Sequence, residues 1–238
     1  MRAALQRLEQ YPEYRGLRHP LDVLATPQGP WPVGAGVILA AHCVDATVNR
    51  ALPGFLKEFP TPESALGKTV ADLVAHLPGI SHTGRKAEYL IGWARYLVAH
   101  CGDIETSIKA LRQVRGIGRK SAALILYGAK GIDAGIPMDT HAMRVLERLG
   151  WFPATRNTAV REKQLLAEVP EGHRHRLFLA LTHHGRRICR AQHPECGQCR
   201  LRGECNSASP QSVLQTGFPA LKWDWYAGGS KVDIHPGA

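Results

Sequence analysis

Apolar residues along this 238-residue chain recur at intervals of three and four rather than two. The strongest run is Lys86–Cys101, where Leu90, Trp93/Ala94, Leu97/Val98 and Cys101 fall on one face of a helix. Shorter stripes follow: Ala142, Val145/Leu146 and Leu149, then Leu165/Leu166 and Val169, then Leu177/Phe178, Leu181 and Ile188. Before them, Val33–Val44 reads as a helix of small residues suited to close packing. Asp45 is placed to cap a short helix, Ala46–Ala51, that stops before Pro53-Gly54. Thr61-Pro62 is a cap followed by proline at the first helical position. Thr69-x-x-Asp72 has the form of a capping box for a helix ending near Leu77. The pattern predicts a short charged helix at Arg2–Gln10, a linker at Pro27–Pro32 and an irregular tail at Asn206–Ala238. Sustained alternation is absent, so the predicted fold is all-α.

The helical pattern breaks most sharply within Leu111–Asp139. Asp103 caps the helix that enters this stretch; Gly116-Ile117-Gly118 interrupts it and a second apolar helix begins at once. Glycine adopts left-handed dihedrals that turn successive N–H groups toward one point. The next helix start adds free N–H groups and partial positive charge. From Thr106 to Ile132 there are six Lys or Arg and no acidic residue, so a backbone phosphate is the expected guest of Gly116, Gly118 and Arg119. Lys120 lies in the first turn of that second helix. The helix start and Arg119 both disfavour an ammonium ion there, which makes a neutral, nucleophilic amine accessible in a dry site. Taken alone, Lys120 serves equally well as a phosphate-binding lysine, and Asp139 reads more readily as the N-cap of Thr140–Leu149 than as a catalytic carboxylate.

Charge sharpens this picture. The net charge of +10 points to a polyanionic partner, without separating DNA from RNA or a membrane surface. The opening MRAALQRLEQ is no secretory signal, and the longest apolar runs are about half of what spans a bilayer, so a soluble, cytoplasmic protein is expected. Cys43 and Cys101 sit singly in apolar stretches and read as buried thiols. The other four cysteines are spaced Cys189-x6-Cys196-x2-Cys199-x5-Cys205, a four-thiolate set that suits zinc or a [4Fe-4S] cluster, with zinc the commoner occupant. Seven Arg against two Glu between His173 and Cys205 surround that set with a net +5, and Arg190 lies in the loop between its first two members. A metal-braced basic loop against phosphates fits this; so does a plain structural staple.

Three segments together resemble the endonuclease III family of DNA glycosylases. VRGIGRKSAALIL is similar to its helix-hairpin-helix, placed here at about 104–128. MDTHAMRVLERLG is similar to its VDTH segment, and the four cysteines have its spacing without a gap. The resemblance covers about Val33 to Cys205. It implies a [4Fe-4S] cluster rather than zinc, on Cys189, Cys196, Cys199 and Cys205. It implies a two-lobed fold: a six-helix barrel over 28–132, and a cluster lobe from 1–27 plus 133–205, with 206–238 left as a tail. It further implies Lys120 as nucleophile and Asp139 as catalytic carboxylate. The implied activity is removal of oxidised pyrimidines from double-stranded DNA, with cleavage at abasic sites, by a nucleoid-associated monomer.

Two positions depart from the family pattern. His42, in ILAAHCVDATVN, stands where the family has the glutamine that enters the gap left by an extruded base. His82, in GISHTGRKAEYL, falls near the loop that carries a bulky apolar wedge. Both lie where the strand opposite the lesion is handled, which points to altered extrusion and a narrower substrate range. Val114-Arg115 replaces the Leu-Pro before the hairpin glycine and adds a phosphate contact. Other readings stay open: a glycosylase of this fold for adenine or alkylated bases, a DNA-binding module without catalysis, and a zinc-stapled nucleic-acid binder.

Overall fold

In the computed structural model, residues 29–208 are described. Among them are ten α-helices, one 3-10 turn and no strand. The helices are α1 (Pro30–Ala40), α2 (Asp45–Glu58), α3 (Pro62–Leu66), α4 (Val70–Ala75), α5 (Thr83–Ala99), α6 (Ile108–Leu111), α7 (Arg119–Lys130), α8 (Thr140–Leu149), α9 (Thr158–Glu168) and α10 (Arg174–Arg187). The 3-10 turn is Arg202–Glu204. The predicted helix Arg2–Gln10 and the tail beyond 208 lie outside the described residues.

Several boundaries differ from the sequence pattern for identifiable reasons. The expected linker at Pro27–Pro32 is partly helix, because α1 begins at Pro30. Prolines are tolerated there, since first-turn N–H groups have no intrahelical partner to lose. Trp31 locks that turn by donating its indole N–H to the Phe59 carbonyl at 2.9 Å. Nor does α2 stop before Pro53; it continues to Glu58. An internal proline costs about 3 kcal/mol. Leu52 and Phe55, both fully buried, return about 1.5–3 kcal/mol each, and buried Phe59 adds to that. Asp45 is the first residue of α2, not its cap; Val44 is. Asp103 likewise does not cap the hairpin helix. Ser107 does, accepting from the Ala110 N–H at 3.0 Å, while Asp103 pairs with Lys130. The capping box Thr69–Asp72 forms as its sequence predicts, and the predicted cap at Thr61 proves to be a capping box as well, closed by Ser64.

Buried side chains gather in two clusters. The first runs from Trp31 to Leu126 and centres on α1 and α5, where Leu90, Trp93, Ala94 and Leu97 are fully buried. The second runs from Ile136 to Leu201 and is built on α8 and α10. Leu124 packs against both. Cys101 falls past the end of α5 and is exposed, and Cys43 is only half-buried, so neither is the buried thiol its apolar surroundings suggested.

Two long-range contacts set where α10 lies. The buried Asp133 carboxylate accepts the Arg174 and His175 N–H groups at 2.9 Å each, capping α10 from 41 residues away. Gly185 then lets α10 approach α8 closely: a Cβ there would stand 3.0 Å from the His141 carbonyl oxygen and 2.9 Å from its Cβ. Any side chain at 185 would push the two helices apart.

Candidate functional site

The glycine break is a hairpin between α6 and α7. Gly116 has φ +90°, and a Cβ at that position would run into the Tyr89 ring. Gly118 does not take the left-handed region expected of it; it is extended (φ −83°, ψ 178°) and serves as the N-cap of α7. With no side-chain cap hydrogen bond at Gly118, the start of α7 keeps backbone N–H groups for an external acceptor. Arg115 is 80% exposed, lies over Tyr89 and meets Glu88 at 3.9 Å. Arg119 turns the other way. Its guanidinium pairs with Glu162, a carboxylate only 6% exposed that also accepts the Ile136 N–H at 3.3 Å. Arg119 therefore ties α7 to α9, its half-exposed guanidinium neutralising a buried carboxylate.

Lys120, in the first turn of α7, points toward the start of α8. Its Nζ is 4.0 Å from Asp139 Oδ2. Asp139 is the N-cap of α8, as its sequence context predicts, and its Oδ1 accepts the Ala142 N–H at 2.7 Å. One carboxylate oxygen is thus held by the helix while the other faces the cleft. Oδ2 also accepts from the Thr182 hydroxyl at 3.2 Å. Burial in the cleft wall pushes the Lys120 pKa down; Asp139 opposes this and Arg186 adds to it. The second cation is therefore Arg186, not the neighbouring Arg119. The Lys120 side chain keeps 46% of its exposure, so this amine is walled by the cleft yet wetted from its mouth.

The surrounding cleft has a volume of about 700 Å³, and His42, Lys120, Asp139, Thr182, His183 and Arg186 are among its lining residues. Three of the residues that shape it come from one stripe of α10 and were not singled out from the sequence as site residues. Phe178 places its ring 5.9 Å from Lys120 Nζ, Thr182 reaches Asp139, and Arg186 pairs with Asp45 of α2 at 2.9 Å. Their i, i+4, i+8 spacing is the only sequence signal, and it reads equally well as core. Burial, Arg186 and Arg187 also hold the His183 pKa down, so a neutral imidazole is favoured beside the amine.

His42 lines this cleft, and His82 stands on a neighbouring turn, linked to it through the Ser81–His42 hydrogen bond. Both take left-handed backbone conformations, φ 52° and 53°, which are uncommon for a residue with a Cβ. A buried lysine holds them there. Lys86 is 4% exposed and donates to the Leu39 carbonyl at 2.8 Å and to Ser81 Oγ at 3.4 Å. Ser81 in turn donates to the His42 carbonyl at 2.7 Å. The end of α1 and the start of α5 are thereby stitched into one rim.

The four clustered cysteines line a separate cavity of about 160 Å³ between α8, α10 and the final turns. Two arginines of α8, one turn apart, tie the first cysteine segment down. Arg144 donates to the Gly185 and Cys189 carbonyls at 2.6 and 3.0 Å. Arg148 donates to the Arg190 and Ala191 carbonyls and to Cys189 Sγ at 3.4 Å. Burial raises the Cys199 and Cys205 pKa values, and the neighbouring thiols add to the effect. No three His, Cys, Asp or Glu side chains among the described residues converge closely enough to hold one metal ion. Arg190 does not extend freely into solvent; it pairs with Glu195 within the loop.

Comparison with known proteins gives a consistent result. Residues 35–171 match the model of the HhH-GPD superfamily of base excision DNA repair proteins. The chain is similar to endonuclease III of Haemophilus influenzae, 32% identical over 177 residues covering 74% of this chain and 83% of that one. Endonuclease III of Synechocystis is 29% identical over 182 residues, 76% and 83% of the two chains. Among solved structures, a non-covalent endonuclease III–DNA complex superposes with a TM-score of 0.78 at 25% identity, covering 87% of this chain and 94% of that one. No helix among the described residues is long and apolar enough to cross a membrane.

Proposed function

Because this chain belongs to the HhH-GPD superfamily of base excision DNA repair proteins, and within it to the endonuclease III family, we propose that it is a DNA glycosylase for oxidised pyrimidines that also cleaves abasic sites through a Schiff base on Lys120. The observation that carries this is a lysine of depressed pKa, 4.0 Å from a carboxylate, in a cleft large enough for a nucleobase.

The two cores are read as two lobes, within 29–132 and 133–205, with duplex DNA lying across the cleft between them; the expected assignment of 1–27 to the second lobe lies outside the described residues. The target base leaves the stack at a cost of a few kcal/mol. Asp139 Oδ2 stabilises positive character at C1′ as the base–sugar bond breaks and the bond electrons leave with the base. The neutral Lys120 amine forms the N–C1′ bond and, after the ring opens, a protonated Schiff base. That iminium makes a C2′ proton acidic. Its removal drives β-elimination, and the 3′ C–O bond breaks with phosphate as the leaving group. A neutral lysine is needed for attack, so the rate rises with pH through the Lys120 pKa and then levels.

The hairpin amides at Gly116 and Gly118 hold a backbone phosphate, with the exposed Arg115 beside them. Arg119 and Arg190 serve more as braces than as direct phosphate contacts, since each is closely paired with a glutamate, whereas Arg115 meets Glu88 only at 3.9 Å on an exposed surface. His42 and His82 face the strand opposite the lesion. Their polar rings, in place of a glutamine and an apolar wedge, favour a narrower substrate range than the family's broad one.

Cys189, Cys196, Cys199 and Cys205 fit a [4Fe-4S] cluster better than zinc. All four line one cavity of about 160 Å³, which has room for a group larger than a single ion. When bound, the group supplies four metal–thiolate links that fasten the 190–195 loop to α10 and the closing turn.

Borohydride reduction in the presence of abasic duplex tests the central claim. The wild-type protein becomes covalently attached to DNA; Lys120→Ala binds the same duplex and is not trapped. Trapping of the variant at the wild-type level would exclude Lys120 as the nucleophile.

A further inference from the structure

We propose that Thr182 is a positioning residue for the Lys120–Asp139 pair, its hydroxyl holding the outer Asp139 oxygen away from the Lys120 ammonium so that the amine can lose its proton. This rests on the role given to Lys120 above. The geometry singles out Thr182. Asp139 Oδ1 is committed to the Ala142 N–H, so Oδ2 alone faces the cleft. An ionised carboxylate free to reorient draws an ammonium to about 2.7–2.9 Å. Here Nζ stays at 4.0 Å, beyond hydrogen-bonding distance, while the Thr182 hydroxyl donates to the same oxygen at 3.2 Å.

Thr182 is well suited to this. It is buried in the middle of α10, and β-branching restricts its rotamers. In a helix interior a threonine hydroxyl commonly returns to the carbonyl one turn back; this one crosses to another helix instead. Gly185, by admitting α8, sets how closely Thr182 approaches Asp139. One turn earlier on the same face, Phe178 gives Lys120 an apolar floor. One turn later, Arg186 repels its proton. A single face of α10 thus acts on the amine in three ways: through a ring, through the carboxylate and through a cation. The other charged or titratable groups acting here are His141 of α8 and His183 of α10, both coupled to Asp139, and Asp45 of α2, which favours the ammonium.

The test compares Thr182→Val, which keeps shape and removes the donor, with Thr182→Ser, which restores it. Two measurements are made: the pH dependence of borohydride trapping, and the titration of Lys120 followed by ¹³C NMR of the reductively methylated protein. Without the hydroxyl, Asp139 swings to Lys120 and retains its proton. The half-point of both curves then moves to higher pH in Thr182→Val. Trapping at pH 7 falls about three- to tenfold, the worth of one net hydrogen bond, and affinity for uncleavable abasic duplex is unchanged. Thr182→Ser tracks wild type. Identical curves for Thr182→Val and wild type would overturn the inference, as would a Thr182→Ser variant that behaves like valine. Thr182→Ala, checked by thermal melting, takes the place of valine if valine does not fold. A wild-type protein that is never trapped removes the lyase reading, and the NMR titration then still decides whether Thr182 governs the Lys120 proton.

Discussion

The two sides of the cleft are built in opposite ways. On one side, Lys120 and Asp139 owe their positions to helix starts: a first-turn residue of α7 and the N-cap of α8. Each is placed by a few neighbouring residues. On the other side, the histidine rim has no such local support. His42 and His82 occupy backbone conformations that cost roughly 1–3 kcal/mol each. They are held by Lys86 and Ser81 across 47 and 39 residues of chain. A locally built site keeps its geometry when distant contacts change. A rim strained into place loses its geometry when one brace is removed.

This contrast leads to three measurements, in decreasing order of effect. Asp139→Asn should separate the two duties of that residue. Asparagine caps helices about as well as aspartate, so stability stays within about 0.5 kcal/mol of wild type. Base release falls about 10²- to 10⁴-fold, the usual span for a lost acid–base or electrostatic group. Single-turnover assays beside thermal melts check both. A large loss of stability with intact rate would mean that the cap, not the carboxylate, is what matters there.

Lys86→Met acts on the rim alone. It leaves the Leu39 carbonyl without its 2.8 Å partner, at a cost of about 1–3 kcal/mol, read as a lower melting temperature. The rim then relaxes, so base excision from intact duplex slows more than cleavage of a preformed abasic site. Equal loss of both activities would show that the two sides are mechanically one. The smallest effect belongs to the paired change His42→Gln with His82→Leu. It should raise excision of oxidised pyrimidines a few-fold, a gain of roughly 1 kcal/mol, and leave abasic-site cleavage unchanged. No gain across a panel of single-lesion duplexes would mean that these histidines do not limit the substrate range.

Legibility in the sequence followed the same division. The all-helical fold, the cap at Thr61, the capping box at Thr69–Asp72 and the cap at Asp139 depend on residues within one or two turns, and all appear as the pattern predicts. The misreadings came where burial or a competing partner outweighed a local signal. Pro53 sits inside α2 because the buried side chains around and beyond it outweigh the lost backbone bond. Asp103 lost its capping role to Ser107 and took up Lys130 instead. Arg119, read as a phosphate contact, turns to Glu162 because that buried carboxylate needs a cation.

By itself the sequence determined the helices, the order of hairpin, lysine, aspartate and cysteines, and through them the family. These are signals of composition and short spacing, and they survive without knowledge of what packs where. Only the tertiary structure decided which second cation depresses Lys120, which hydroxyl shares the Asp139 oxygen, and how two histidines are held in a left-handed turn. Those outcomes depend on side chains brought together from 39 to 141 positions apart. Such contacts arise only when helices close against one another, and in α8 and α10 that approach depends on the absent side chain of Gly185.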